Sequence, residues 1–232
     1  IGGALARRLA TSDARLVLAA RRSEPLEALA GELGAEAMTL DATSFEEVEQ
    51  AVAGVVERHG RIDGLACCVG SIVLEPAHRT SAERLEEVLR LNLFSAFAAV
   101  RAAAQPMARG GGGSIVLMAS AAARRGLANH EAIAAAKAGV IGLTLSAAAT
   151  YAPRGVRVNA VAPGLVDTPM AAALTGNELA RKASEKMHPL GRIGTPDDVA
   201  RALEWLLDPA AGWVTGQVIG VDGGLATVAA RG

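Results

Sequence analysis

Apolar residues along this chain come in short runs separated by longer amphipathic stretches. The runs are Arg15–Ala20, Ala37–Leu40, Ile62–Val69, Ser114–Met118, Val156–Val161 and Gln217–Val221. They are nearly continuous in apolar residues rather than alternating. That is the pattern of parallel strands covered on both faces. The stretches between them read as helices. Ser44 with Glu47, and Thr80 with Glu83, have the spacing of a capping box. Thr195-Pro196-Asp197-Asp198 sets a cap, a proline in the first turn and two acids at the positive end of a helix. Gly110 to Gly113 is a flexible turn before a strand. There is no repeat and no linker-like change of composition. The pattern predicts one α/β domain over residues 1–232, a Rossmann-type doubly wound parallel sheet in three αβα layers. The segment Ala171–His188 has weak sheet character and reads as a helical lid at about residues 171–190.

Ile1 to Ala10 reads as a helix with glycine at its head and no strand before it. A doubly wound sheet needs a first strand and a glycine-rich turn at that place. The expectation is roughly 10–20 further residues upstream in the native chain, from a strand of about 5–6 residues plus its turn. Without them the sheet lacks a central strand and should not fold stably.

Composition narrows the function. The 232 residues suffice for one large α/β domain. Hydrophobic residues make up 51% but aromatics only 3%, which suits tightly packed helices on a sheet. A net charge of −1 gives no global field for nucleic acid or an anionic membrane. No apolar run reaches about 18 residues, which argues against a membrane span, and no signal-peptide pattern is visible. Cys67 and Cys68 are adjacent and have no third partner. Neighbouring cysteines rarely close a disulfide, so they read as reduced thiols of a cytoplasmic protein. They also lack the spaced ligand set that zinc needs.

The chemistry concentrates in a few places. Lys137 lies in an alanine-rich helix, His130-Glu131-Ala132-Ile133-Ala134-Ala135-Ala136-Lys137. An ammonium in such a run is costly to bury without partners. Asn92 falls among Leu85, Val88, Leu89 and Ala96 on one helix face, where a buried amide needs partners or marks a helix kink. Ser120 ends a strand. Pro163-Gly164-Leu165-Val166-Asp167-Thr168 follows another. Ala20-Arg21-Arg22-Ser23 ends the first strand with cations and no acid.

With these residues the chain resembles the short-chain dehydrogenase/reductase family over essentially its whole length. Ile1 and Gly2 match the end of that family's glycine-rich turn, where phosphates approach backbone amides at a helix start. The resemblance implies NADP(H), with NAD(H) less favoured. Ala20 stands where NAD-binding members place an acid, and Arg21, with Arg22 beside it, could pair with a 2′-phosphate. Asp41, in Leu40-Asp41-Ala42, matches an aspartate that accepts from the adenine amino group. A loop aspartate that caps a turn is the plainer reading. Cys67-Cys68-Val69-Gly70 falls where the family has N-N-A-G, and Gly70 would let backbone pass the adenine ribose.

The resemblance also implies roles for the remaining residues. Asn92 would hold a water linked to Lys137. Ser120 would donate to the substrate oxygen. Lys137 would hold both hydroxyls of the nicotinamide ribose. Pro163, Gly164, Val166 and Thr168 would hold the nicotinamide carboxamide. Val214 to Gly224 matches the family's closing strand and turn.

One position departs from the family. Four residues before Lys137 stands Ile133 rather than tyrosine, and a hydrocarbon donates no proton. The chain's tyrosine, Tyr151, lies 18 positions beyond Ile133, about 27 Å along a straight helix. His130 shares a helix face with Ile133 and Lys137 and could act, or merely cap the helix. A water held by Lys137 and Asn92, working with Ser120, is a second source. A third reading is a catalytically impaired NADP-binding regulatory or scaffold protein. The expected partner is a small carbonyl or alcohol substrate, with no nucleic acid and no membrane. The small-residue helix Ala132 to Thr150 suits a homodimer or homotetramer.

Overall fold

The computed structural model describes residues 1–229. The last three residues of the predicted domain, 230–232, lie outside that range. Helix α1 (Gly2–Leu9) leads into β1 (Val17–Ala20), α2 (Ser23–Leu33), β2 (Glu36–Thr39), α3 (Phe45–His59) and β3 (Gly64–Cys67). Then come α4 (Ala82–Leu89), a π-turn (Arg90–Phe94), α5 (Ser95–Arg109), β4 (Gly113–Met118) and α6 (Glu131–Tyr151). The chain closes through β5 (Val156–Pro163), α7 (Ala172–Thr175), α8 (Glu178–Met187), α9 (Pro196–Leu207) and β6 (Val218–Val221).

Among the described residues every strand pairing is parallel, as the unbroken apolar runs predict. The strands fall into two pieces, β1-β2 and β3-β4-β5-β6. Among the described residues no strand bridges β1 to β3. The two faces of β4 show why the runs do not alternate. Ile115 and Leu117 enter one core cluster with Ala103 and Met107 of α5, Val140 of α6 and Val156 and Val158 of β5. Val116 and Met118 enter another, with Leu5 of α1 and Val199, Leu203 and Leu206 of α9. Helices cover both faces, so every position from Ser114 to Met118 is buried.

Several local expectations shift. Ser44 accepts from Glu47 N at 3.3 Å, as a cap should. The return bond is absent, because Ser44 N already donates to Asp41 O, and the Glu47 carboxylate accepts from Asp41 N instead. The cap expected at Thr80 is Ser81, which accepts from Arg84 N at 3.2 Å; the Thr80 hydroxyl donates to Pro76 O. The Thr195–Asp198 box is complete in both directions. The segment read as a helical lid is helical, but starts two residues earlier than Ala171, in a 3₁₀ turn over Pro169–Ala171. Leu85, placed on the buried face, is 38% exposed.

The expectation that no apolar run reaches about 18 residues overlooks α6. With its short extension, residues 131–154 are long and apolar enough to cross a bilayer by length and composition alone. Here that helix packs its Ala136, Lys137, Val140, Thr144 and Ala147 inward against the β5 side of the sheet.

Candidate active site

The strand ends and the α6 face bring several predicted residues together. Lys137 is 6% exposed, and its Nζ donates to Met118 O at 2.8 Å. Met118 ends β4, so that bond joins α6 to the strand that delivers Ser120. Among the described residues Met118 O is the amine's one hydrogen-bond partner. An ammonium carries three donors, so two point at no protein acceptor. Burial lowers the Lys137 pKa from 10.5 to about 8, against a small opposing pull from Cys67 and Cys68.

Gly70 lies directly over this amine. A Cβ at that position would come within 3.4 Å of Lys137 Nζ and 2.8 Å of Asn92 Oδ1. No side chain fits there. Asn92 is 1% exposed and occupies the π-turn between α4 and α5, the kink that its polar character in an apolar face suggests. Its amide is fully engaged. Nδ2 donates to Val88 O at 3.0 Å and Ser71 Oγ at 2.9 Å, and Oδ1 accepts from Ser71 N at 3.1 Å. Asn92 therefore pins the Gly70-Ser71 backbone beside the lysine. Ser71 is a partner that sequence reasoning missed; a serine after the glycine carries no signal without the tertiary contact.

Ser120 caps a 3₁₀ turn over Ala121–Ala123. Its oxygen accepts from Ala122 N at 3.1 Å, which leaves the hydroxyl proton free. Ile133 is 5% exposed and packs in a small apolar cluster with Val73, Val88, Ala132 and Ala136. His130 is the residue that starts α6. Its Nδ1 lies 2.7 Å from Ala128 O, which accepts, so the ring is tied to its own loop and Nε2 is left as the free nitrogen.

The cofactor side is built from strand and helix ends. Ile1 precedes α1, and a Cβ on Gly2 would touch Cys68 Cβ at 3.4 Å. Arg21 and Arg22 are exposed at the end of β1, without an acidic partner among the described ion pairs. Asp41 accepts from Thr43 N at 2.9 Å, the turn-capping role, beside Ala42. Thr43 holds its carboxyl below the usual range, and the nearby Arg21 and Arg90 add to this. Arg90 is a second cation that the sequence could not place: its neighbourhood with Asp41 arises only in the fold. Pro163 is buried, and Val166 is 6% exposed. Thr168 Oγ1 accepts from Ala171 N at 3.3 Å. Val166 also bridges to Gly194.

The two cysteines are free. Burial raises the Cys67 thiol, and burial plus its neighbour raises Cys68 to about 12. Such thiols stay protonated and inert near neutrality. Among the described residues no cluster of three or more metal-ligating side chains occurs. A depression of about 340 Å³ between α1 and α9 is lined by Arg7, Arg8, Asp197 and Glu204, and does not include Ser120 or Lys137.

The comparisons agree with this geometry. A family profile described as enoyl-(acyl carrier protein) reductase matches residues 1–226. The 3-oxoacyl-(acyl-carrier-protein) reductase of Vibrio cholerae is 34% identical over 227 residues, 97% of this chain and 92% of that one. A protein of Xanthobacter autotrophicus named inactive 2-(S)-hydroxypropyl-CoM dehydrogenase 2 is 34% identical over 97% of this chain and 100% of its own. A solved actinorhodin polyketide ketoreductase with NADPH superposes with a TM-score of 0.92 at 32% identity, covering 98% of this chain and 93% of that one. With its parallel doubly wound sheet, its buried lysine under Gly70 and these relatives, the chain belongs to the short-chain dehydrogenase/reductase family, an oxidoreductase family.

Proposed function

We propose that the chain is an NADP(H)-dependent oxidoreductase for the carbonyl or alcohol group of a small lipophilic molecule, with a proton source other than tyrosine. The observation that carries this reading is the Lys137 ammonium, buried with two unpartnered donors under a glycine that cannot be replaced by a larger residue. Buried donors are rarely left unpaired, and two neighbouring ribose hydroxyls match them. The bound nicotinamide supplies the hydride.

The other residues support the same fit. Ile1 and Gly2 leave the amides at the head of α1 for the diphosphate. Arg21 and Arg22 face solvent where a 2′-phosphate would lie. Asp41 and Ala42 border the adenine side, and Gly70 the ribose. Pro163, Gly164, Val166 and Thr168 present backbone and hydroxyl to the carboxamide. Ser120 donates its free proton to the substrate oxygen and stabilises charge there. The proton that completes reduction comes from Nε2 of His130 when both ring nitrogens carry a proton, leaving the neutral ring with its Nδ1–H on Ala128 O, or from a water held by Lys137 beside the Asn92-pinned loop. The helices over 169–187 form the lid. Exposed Phe97 on α5 and Leu145 on α6, 49% and 52% accessible, support a homodimer or homotetramer.

Ile133 favours a second reading, a cofactor-binding protein without turnover, and the relative named inactive is of the same length class. One experiment separates the two: titration of the protein with NADPH and NADH, then a carbonyl panel followed by NADPH consumption. NADPH binding with turnover supports the enzyme. Tight binding with no turnover on any carbonyl supports the second reading, and binding of neither nucleotide removes both.

A further inference from the structure

His188 is 3% exposed and stands at the C-terminal end of α8, the last helix of the lid segment. Its ring joins two segments that are distant in the chain. The backbone N–H of Leu165 donates to Nε2 at 3.2 Å, and Nδ1 lies 2.6 Å from Ser184 O. An amide N–H can only donate, so Nε2 accepts. Nδ1 then carries the proton given to Ser184 O.

The surroundings are cut to this ring. A Cβ on Gly164 would lie 2.6 Å from His188 Nε2, so the imidazole fills the space that the glycine leaves. A Cβ on Gly223 would lie 3.5 Å from His188 Cβ, so the closing turn backs the ring. Leu190 N donates to Gly223 O at 3.1 Å and extends that contact. Leu165 is held at both backbone groups: its N–H by His188 and its carbonyl by Gly194 N at 2.8 Å. Asp167 N in turn donates to Gly194 O at 2.9 Å. The two stems of the lid thus meet on the loop Pro163 to Thr168.

We infer that His188 is a positioning residue that locks the end of the lid to the Pro163–Thr168 loop, so that lid and loop move as one body. The inference rests on the reading of that loop as the holder of the nicotinamide. An apolar plug of equal volume would fill the space but would leave the Leu165 N–H without its acceptor. A buried amide without a partner is unstable, and the loop would shift to find one.

Three substitutions divide the two bonds. His188→Gln can keep an acceptor for Leu165 and loses the donor to Ser184. His188→Asn does the reverse. His188→Leu loses both at similar volume. Two measurements are made on the full chain: amide hydrogen exchange over residues 164–168 without nucleotide, and the Kd for NADPH alongside the thermal midpoint. His188→Asn and His188→Leu are expected to lose about tenfold in protection over 164–168 and about tenfold in NADPH affinity, the size of one buried donor left unpaired. His188→Gln is expected to stay within about threefold on both, whatever its thermal midpoint does.

If His188→Leu exchanges like wild type over 164–168, the inference is overturned, whatever the nucleotide does. If all three variants lose protection and thermal midpoint alike, His188 is a packing residue only and the inference is again overturned. If protection falls in Asn and Leu but not in Gln while wild type binds neither NADPH nor NADH, the lock stands and the cofactor reading of the loop falls.

Discussion

Lys137 Nζ donates to the carbonyl oxygen of Met118 at 2.8 Å, and this bond sets the distance between the amine of α6 and the end of β4. Ser120 follows Met118 by two residues, so one contact registers both polar groups of the candidate site. The lysine has two donors left over, with no further protein acceptor among the described residues. Replacing it with methionine keeps the length and removes the donors. Lys137→Met is expected to fold and to bind NADPH about a hundredfold more weakly, as two charge-assisted hydrogen bonds of about 1.5 kcal/mol each are lost. Calorimetric titration checks this. Wild-type affinity in the variant would remove the ribose role.

The same burial gives the stability a signature in pH. The folded Lys137 pKa, about 8, is below the ordinary 10.5, so folding penalises the protonated form. Between those values the unfolded chain binds more protons than the folded one, and stability rises with pH. Below about pH 8 the cost is constant; above about 10.5 it is gone. The gain across the window is about 3 kcal/mol. Other groups titrate there too, so the useful quantity is the difference from Lys137→Met. Urea unfolding at about pH 7.5 and about pH 10 should show wild type gaining on the variant by a few kcal/mol. A difference that stays flat with pH would mean that the amine is solvated.

Arg21 is expected to decide between the two nucleotides. It is exposed at the end of β1, and it lies with Arg90 close enough to Asp41 to lower that carboxyl. A 2′-phosphate brings two negative charges to this place and NADH brings none. Arg21→Ala should weaken NADPH about tenfold to a hundredfold and leave NADH within about twofold. Parallel titrations at one fixed salt concentration are the measurement, because exposed charges are screened. Equal losses for both nucleotides would show that Arg21 only shapes the strand end.

Much of this arrangement is legible in the sequence because it depends on short-range pattern. Continuous apolar runs give parallel strands with both faces covered, as Ile115 and Val116 show by entering opposite cores. The Thr195 cap is readable because its partner is three residues away. What the sequence hides is tertiary. Thr80 and Ser81 are equally good caps, and the bond of Thr80 to Pro76 decides between them. Arg90 meets Asp41 only after some fifty residues have folded between them. The His188–Leu165 bond spans 23 positions and has no periodic signal at all. A polar Asn92 in an apolar face marks a break in the helix, but that the break is a π-turn over Arg90–Phe94 is seen only in the fold.

Ile133→Tyr probes whether the rest of the catalytic site is assembled, and its two readouts are coupled. Ile133 is 5% exposed in a cluster with Val73, Val88, Ala132 and Ala136. A phenol is larger, so forcing it into that cluster costs about 1–3 kcal/mol, and more if its hydroxyl finds no partner. The small neighbours Ala132 and Ala136 give the ring little to displace. Turning it toward the cleft brings it one helical turn from the Lys137 ammonium, which favours the ionised phenol and lowers its pKa. A positioned acid of that kind contributes about 10²–10⁴-fold to rate. The expected outcome is therefore a thermal midpoint a few degrees lower together with carbonyl reduction at least about a hundredfold faster. Lower stability without any gain in rate would mean that Ser120 and Lys137 are not disposed for hydride chemistry, and would favour the non-catalytic reading over the enzyme.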